Sequence, residues 1–149
     1  MSKTVPTLAL LLAASGTWTG TVSPLTAQAP EAAGEQQEPT AVERGEYLVH
    51  HVAMCVECHT PRTSTGAIVE RQLLMGAPIP LRSPYPQQTW AFQAPQIAGL
   101  PGWTDEEIVT LLVTGARPDG RSPRPPMPEF HLKPADARAV VAYLRSLAP

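Results

Sequence analysis

The chain has 149 residues, with 11 basic and 13 acidic side chains and a formal charge of −2, a balance that excludes the basic footprint of a nucleic-acid binder. Its length suits one domain with extensions. With 18 prolines, 10 glycines and 5% aromatic residues it is loop-rich and short of core for its size, and its two cysteines leave no disulfide framework beyond themselves.

Lys3 is the only charged residue before Glu31, and Val5 to Ala14 form an apolar run. Ala27-Gln28-Ala29 has the small-x-small form of a signal-peptidase site, so residues 1–29 read as a secretory signal peptide. The run is too short to span a bilayer comfortably. Pro30 directly after the cut and the single Lys keep an uncleaved membrane anchor as the alternative. Removing residues 1–29 leaves 10 basic and 13 acidic side chains, a charge of −3. Residues 30–41 are polar without apolar periodicity and read as a flexible linker to a domain over 42–149.

Residues 42–54 carry Gly45, Leu48, Val49 and Val52 at i, i+3, i+4, i+7, one apolar stripe of a helix. A glycine on that stripe implies close approach of another backbone, because it weakens the helix by about 1 kcal/mol relative to Ala. His50 and His51 on this helix read as solvated or packed.

Then comes Cys55-Val56-Glu57-Cys58-His59, the attachment pattern of c-type haem. Two thiols on one turn can reach both vinyl groups of a single porphyrin, and the next side chain, His59, is then aimed at the iron. A structural zinc site wants four ligands, and the chain offers only these cysteines with scattered His50, His51 and His131. A redox-active thiol pair belongs at a helix start after a strand, and no such unit is visible. A buried macrocycle also supplies the apolar surface that the composition lacks.

Residues 60–103 are a long connection holding Pro61, Pro78, Pro80, Pro84, Pro86, Pro95 and Pro101. A loop of that length is expected to wrap the haem, with a short helical turn around Val69 to Leu74. Trp90 and Phe92 are candidates for contact with the ring or for core packing. Residues 104–115 make the clearest helix: Thr104 with Glu107 forms a capping box, Ile108, Leu111 and Leu112 line one face, and Gly115 is the stop. Residues 134–147 make the last, opened by Pro134 and lined by Ala137, Val140, Val141, Leu144 and Leu147. The expected fold is all-α, about three helices and long loops around one haem, with no good strands.

A second iron ligand is sought in Pro123-Arg124-Pro125-Pro126-Met127-Pro128. Prolines on both sides of Met127 stiffen the backbone and lower the entropy of holding a thioether in place. Met75 is the rival; Met54 sits too close to Cys55 to reach around the ring.

With these pieces in order, the sequence resembles class I cytochromes c, in particular the single-haem modules of bacterial periplasmic dehydrogenases. The resemblance runs from about residue 43 to 147 and rests on five motifs. These are Cys55 to His59, Ala94-Pro95-Gln96-Ile97-Ala98-Gly99, Trp103 to Glu107, Pro125 to Pro128, and Ala139 to Arg145. It implies that Cys55 and Cys58 carry thioethers and that His59 and Met127 are the axial ligands. Pro95 would accept the Nδ1–H of His59, and the Trp103 indole would reach a haem propionate. Gly45 and Tyr47 would cross Tyr143 where the first and last helices meet. Gln96 stands where Asn is usual, and the loop 60–94 is longer than in small members.

The function so implied is periplasmic electron transfer on one haem c, with no catalytic acid, base or nucleophile in the chain. The implied partners are a dehydrogenase as donor and an oxidase or another cytochrome as acceptor. The alternatives are a haem subunit of a dehydrogenase complex and a ligand-binding or peroxidatic haem with an open sixth position. Residues 60–94 and 115–133 are each net +2, so the haem rim is expected to be basic and to steer an acidic partner surface.

Overall fold

Thr40 starts the first helix by closing a reciprocal cap with Glu43, its Oγ1 accepting from Glu43 N and its own N donating to Glu43 Oε2 at 2.8 Å. This computed structural model describes residues 38–147. The expected signal peptide, residues 1–29, and the linker up to residue 37 lie outside the described residues.

Helix α1 spans Ala41–Tyr47, and its backbone continues as a π-helical segment, Leu48–Val52. Ala53 N donates to Leu48 O at 2.7 Å, the i→i+5 bond that puts an extra residue into the turn. That insertion corrects the predicted stripe. Gly45, Leu48 and Val49 are buried, whereas Val52 is rotated outward and half exposed.

Met54, left-handed at φ 52°, ψ 38°, breaks the helical path, and Cys55–His59 restart it as the short helix α2. The haem motif therefore makes a fourth helix beyond the three expected. A single 3₁₀ turn, Glu70–Gln72, stands where a helical turn was predicted.

No good strands were expected, and among the described residues the strands present are minimal. Strands β1, Ala77–Pro78, and β2, Gln93–Ala94, pair antiparallel with Ala77 opposite Ala94 and Pro78 opposite Gln93. Two-residue strands are too short to leave a period in the sequence. A further bond, Ile79 N to Phe92 O at 2.9 Å, extends the neck of this long hairpin.

Helix α3, Asp105–Thr114, opens on Thr104 with the predicted Glu107 box and ends on Gly115 at φ 76°. Helix α4, Pro134–Ser146, completes the fold. It crosses α1 with little between the backbones, tied by Arg44 Nε to Asp136 Oδ1 at 2.9 Å and by His50 Nε2 with Tyr143 Oη at 2.7 Å. His50 is thus packed. Leu48, Val49, Val56, Leu74, Leu100, Ile108, Leu112, Val140 and Leu144 form the shared core. The predicted inner faces of α3 and α4 are the buried ones, with Leu111 buried outside this cluster and Leu147 at its margin.

Candidate functional site

His59 closes α2 and is buried at 7% exposure. Its Nδ1 lies 2.7 Å from the carbonyl oxygen of Pro95. A carbonyl only accepts, so Nδ1 carries the proton and Nε2 is left with its lone pair free for a metal. Burial pushes the imidazole below its ordinary pKa, with the Pro95 bond acting the other way. The Pro95 bond fixes the ring's orientation and keeps the Nδ1 proton in place.

The backbone around it is equally constrained. Gly76 N donates to His59 O at 2.8 Å, and Leu74 N donates to the buried Thr60 Oγ1 at 3.0 Å. Gly76 has φ +85°, and a Cβ there would meet Pro95 C at 2.9 Å and Gln96 N at 2.8 Å. Only glycine fits between the histidine's main chain and the proline that orients its ring.

Cys55 and Cys58 lie one turn apart on α2 and form no disulfide with each other. Burial pushes the Cys55 thiol up to about 11, opposite to the lowering that makes a CxxC pair redox-active. Among the described residues no group of three or more His, Cys, Asp or Glu could hold a bare metal ion. The donor set is one imidazole beside two thiols. It suits a group that brings its own in-plane nitrogens and takes thioether links, which is what haem c needs.

Met127 lies half-buried on a turn after the cis Pro125–Pro126 bond, its N donating to Arg124 O at 3.3 Å. Pro125 O accepts from Ala91 N at 2.8 Å. The methionine's turn is thereby tied to the strand that leads through β2 to Pro95. Met75, the rival, is 44% exposed beside the 3₁₀ turn.

Trp103 is half-buried at the end of the loop 99–103, which Arg145 of α4 holds from below. Arg145 donates from Nη1 to Gly99 O at 2.6 Å, from Nη2 to Trp103 O at 2.6 Å and from Nε to Asp105 Oδ1 at 2.8 Å. The indole's other contact is the Arg117 guanidinium, centred 5.3 Å from the ring. Trp90 donates from its indole to Leu81 O at 2.9 Å, and Phe92 is 82% exposed, so Phe92 is no core residue. Sequence reasoning missed Thr60, Gly76, Arg117 and Arg145. Only Gly76 carries a signal in its residue type, as a glycine between apolar residues.

Fold and donor set together define a small helical haem-binding domain. The chain belongs to the cytochrome c family, whose profile, described as Cytochrome c, matches residues 42–148. It is 36% identical over 110 residues to the fructose dehydrogenase cytochrome subunit of Gluconobacter japonicus, covering 70% of this chain and 21% of that protein. It is 34% identical to a diheme cytochrome c-type protein of Cereibacter sphaeroides over 69% of this chain and 34% of the relative. To the cytochrome c subunit of the quinone alcohol dehydrogenase of Gluconobacter oxydans it is 33% identical, over 71% of this chain and 24% of the relative. The chain thus spans between about a fifth and a third of the length of these relatives. Family membership makes this a covalent-haem electron-transfer domain, a carrier and not itself catalytic. Among the described residues no helix is long and apolar enough to cross a membrane.

Proposed function

We propose that the chain is a periplasmic monohaem carrier that moves one electron at a time on a haem c linked to Cys55 and Cys58 and ligated by His59 and Met127. The observation that carries this reading is the buried His59 ring, with Nδ1–H given to Pro95 O at 2.7 Å and Nε2 left free. The haem supplies reversible exchange between Fe(III) and Fe(II). Pro95 holds the imidazole's orientation and raises its basicity. Met127, on its proline-flanked turn, offers a soft thioether that favours the ferrous state. Trp103 gives an indole N–H to a propionate. Residues 1–29 direct export, by cleavage after Ala29 or as a retained anchor.

Acid–acetone extraction of the holoprotein tests the linkage. The pigment should stay with the protein, and the mass should exceed the chain's by one haem. Carbon monoxide added to the reduced protein tests the sixth position; slow or negligible binding is expected, and rapid binding refutes Met127 ligation.

A second reading is favoured by the likeness to two dehydrogenase cytochrome subunits. In it this chain takes electrons within such a complex and passes them to an oxidase or another cytochrome. Co-purification of a larger dehydrogenase from native periplasm or membrane supports it.

A further inference from the structure

One hydrogen bond at the crossing of α1 and α4 has no part in holding the iron. His50 Nε2 lies 2.7 Å from Tyr143 Oη, and the two rings meet edge to face with 5.6 Å between centroids. Tyr143 is 5% exposed. His50 stands within the π-helical turn Leu48–Val52, and insertions of this kind recur where a side chain has a function. Two more rings carry the contact outward. His51 lies 6.1 Å from His50, and the half-exposed Tyr47 lies 5.8 Å from His51.

Of the chain's three tyrosines, Tyr143 is the one whose hydroxyl has an imidazole partner among the described residues; Tyr47 and Tyr85 are exposed. Burial, with the Glu46 charge adding to it, pushes the Tyr143 phenol above its ordinary pKa. The intact phenol therefore keeps its proton. A phenol that loses an electron becomes a strong acid, so oxidation is easy only where a base within hydrogen-bond reach takes the proton. His50 is such a base: with its own proton on Nδ1, its Nε2 accepts from the Tyr143 O–H. Arg44 and Asp136, the other charged groups tying α1 to α4, are paired with each other at 2.9 Å. The pair is also near the attachment motif. His50 precedes Cys55 by five residues, within about 18 Å by chain length alone, and Leu144, next to Tyr143, shares the core with Val56 of α2.

We propose that Tyr143 and His50 form a second redox site, in which Tyr143 gives one electron to a strong one-electron oxidant such as a peroxyl radical while its phenolic proton passes to His50 Nε2. The radical ROO• takes the electron and a solvent proton and becomes ROOH. The Tyr143 O–H bond breaks, leaving a neutral phenoxyl radical, and His50 becomes imidazolium. A ferrous haem in the domain then returns the electron: Fe(II) becomes Fe(III), His50 gives back the proton and the phenol is restored. That return step rests on the haem reading above, whereas the first step stands on the pair alone. The rings of His51 and Tyr47 give the electron its way out to the surface.

Flash oxidation of the ferric holoprotein by photogenerated tris(bipyridine)ruthenium(III) tests the first step. It is read by freeze-quench EPR and by the rate of oxidant loss, for the parent, Tyr143→Phe, Tyr85→Phe and His50→Gln. The parent should give a tyrosyl signal that Tyr143→Phe lacks and Tyr85→Phe retains. His50→Gln keeps a hydrogen-bonding side chain but no base. Phenol oxidation should slow in it roughly a hundredfold, the low end of what a positioned base contributes, while the melting temperature stays near the parent's. Deuterated buffer should slow the parent. An undiminished tyrosyl signal in Tyr143→Phe, or His50→Gln reacting as fast as the parent, overturns the proposal and leaves the bond a tie between helices. Should Tyr143→Phe fail to fold, His50→Gln and the deuterium effect decide. For the return step, Tyr143→Phe should slow oxidation of the ferrous holoprotein by peroxyl radicals from a water-soluble azo initiator. Oxidation by ferricyanide, too weak to oxidise a phenol, should be unchanged. Equal slowing with both oxidants, or with neither, overturns the return step. A chain found by mass to lack covalent haem fails the haem reading, and the tyrosyl signal of that same chain still decides the pair.

Discussion

Gly45 and Ala139 meet backbone to backbone: a Cβ on Gly45 would lie 1.9 Å from the Ala139 carbonyl oxygen and 2.7 Å from Tyr143 Cβ. Two effects compete in Gly45→Ala. Helix propensity gains about 1 kcal/mol, whereas pushing α4's main chain aside costs about 3 kcal/mol or more. The clash should win, because its partner is backbone and cannot rotate away. Thermal melting should fall by roughly 10 °C or more for a domain of this size; an unchanged or raised melting temperature would show that the crossing is looser than described.

Asp119 gives a pH prediction. The Arg121 guanidinium and N–H hold its carboxyl down to about 2, from an ordinary 3.8. A depressed folded value means that this contribution is present above about pH 4 and is lost as pH falls through about 2. A carboxyl NMR titration should find Asp119 among the lowest values in the protein. Arg121→Gln should return it toward the ordinary carboxylate range.

The proposed ligation by Met127 is tested by a pair of variants. Met127→Ala should abolish the weak near-infrared sulfur–iron band of the oxidised protein and lower its potential. Met75→Leu should leave both nearly unchanged, since Met75 is a half-exposed residue of the connecting loop. The reverse pattern would assign the ligand to Met75.

Gly76 tests the support beneath His59. Gly76→Ala adds a methyl within 2.9 Å of Ala94 O and Pro95 C at a positive φ. A loss of about 1–3 kcal/mol is expected from overpacking. If the substitution loosens the bond from Nδ1 to Pro95 O, the imidazole becomes a weaker base and stabilises Fe(III) less. The potential should then rise, while Gly66→Ala, at an open position with nothing within 4 Å, leaves it unchanged.

Charge steering is narrower than composition suggests. Of the loop cations expected to form a basic rim, Arg62 and Arg121 are paired with Glu57 and Asp119. Arg71, Arg82 and Arg124 are exposed and have no such pair among the described residues. Electron transfer with the native partner should slow as salt rises, and Arg82→Glu with Arg124→Glu should slow it several-fold at low salt through the association rate. A rate that is flat in salt for the parent protein rejects a basic docking face.

The helices were legible because each carries a local rule. The Thr104–Glu107 box, Pro134 at a first turn and the Ala137–Val140–Leu144 face all act within a few residues, and the structure has them. Gly45 was legible for the same reason, as an anomaly on an apolar stripe. What escaped is held by long-range hydrogen bonds. Arg145 entered the sequence reading only as the end of the Ala139 to Arg145 motif, yet it reaches more than 40 positions back to Gly99, Leu100 and Trp103. The π-helical turn depends on one bond, from Ala53 to Leu48, that no pattern of residue types announces. The strands are two residues long, and Pro78 in one of them has no N–H to give a ladder, so no residue pattern marks them.

That small ladder has a wider consequence. Gly76 stands just before β1 and Pro95 just after β2, and they grip His59 by its main-chain oxygen and its ring nitrogen respectively. The spacing between these two grips is set by the rungs Ala77–Ala94 and Pro78–Gln93, not by the excursion from Pro80 to Trp90 beyond them. The excursion can therefore be shortened, lengthened or exchanged for another sequence while the histidine keeps its seat. It is a module: a lineage, or a designer, can retailor what the domain shows to its neighbours while both hydrogen bonds to His59 stay in register.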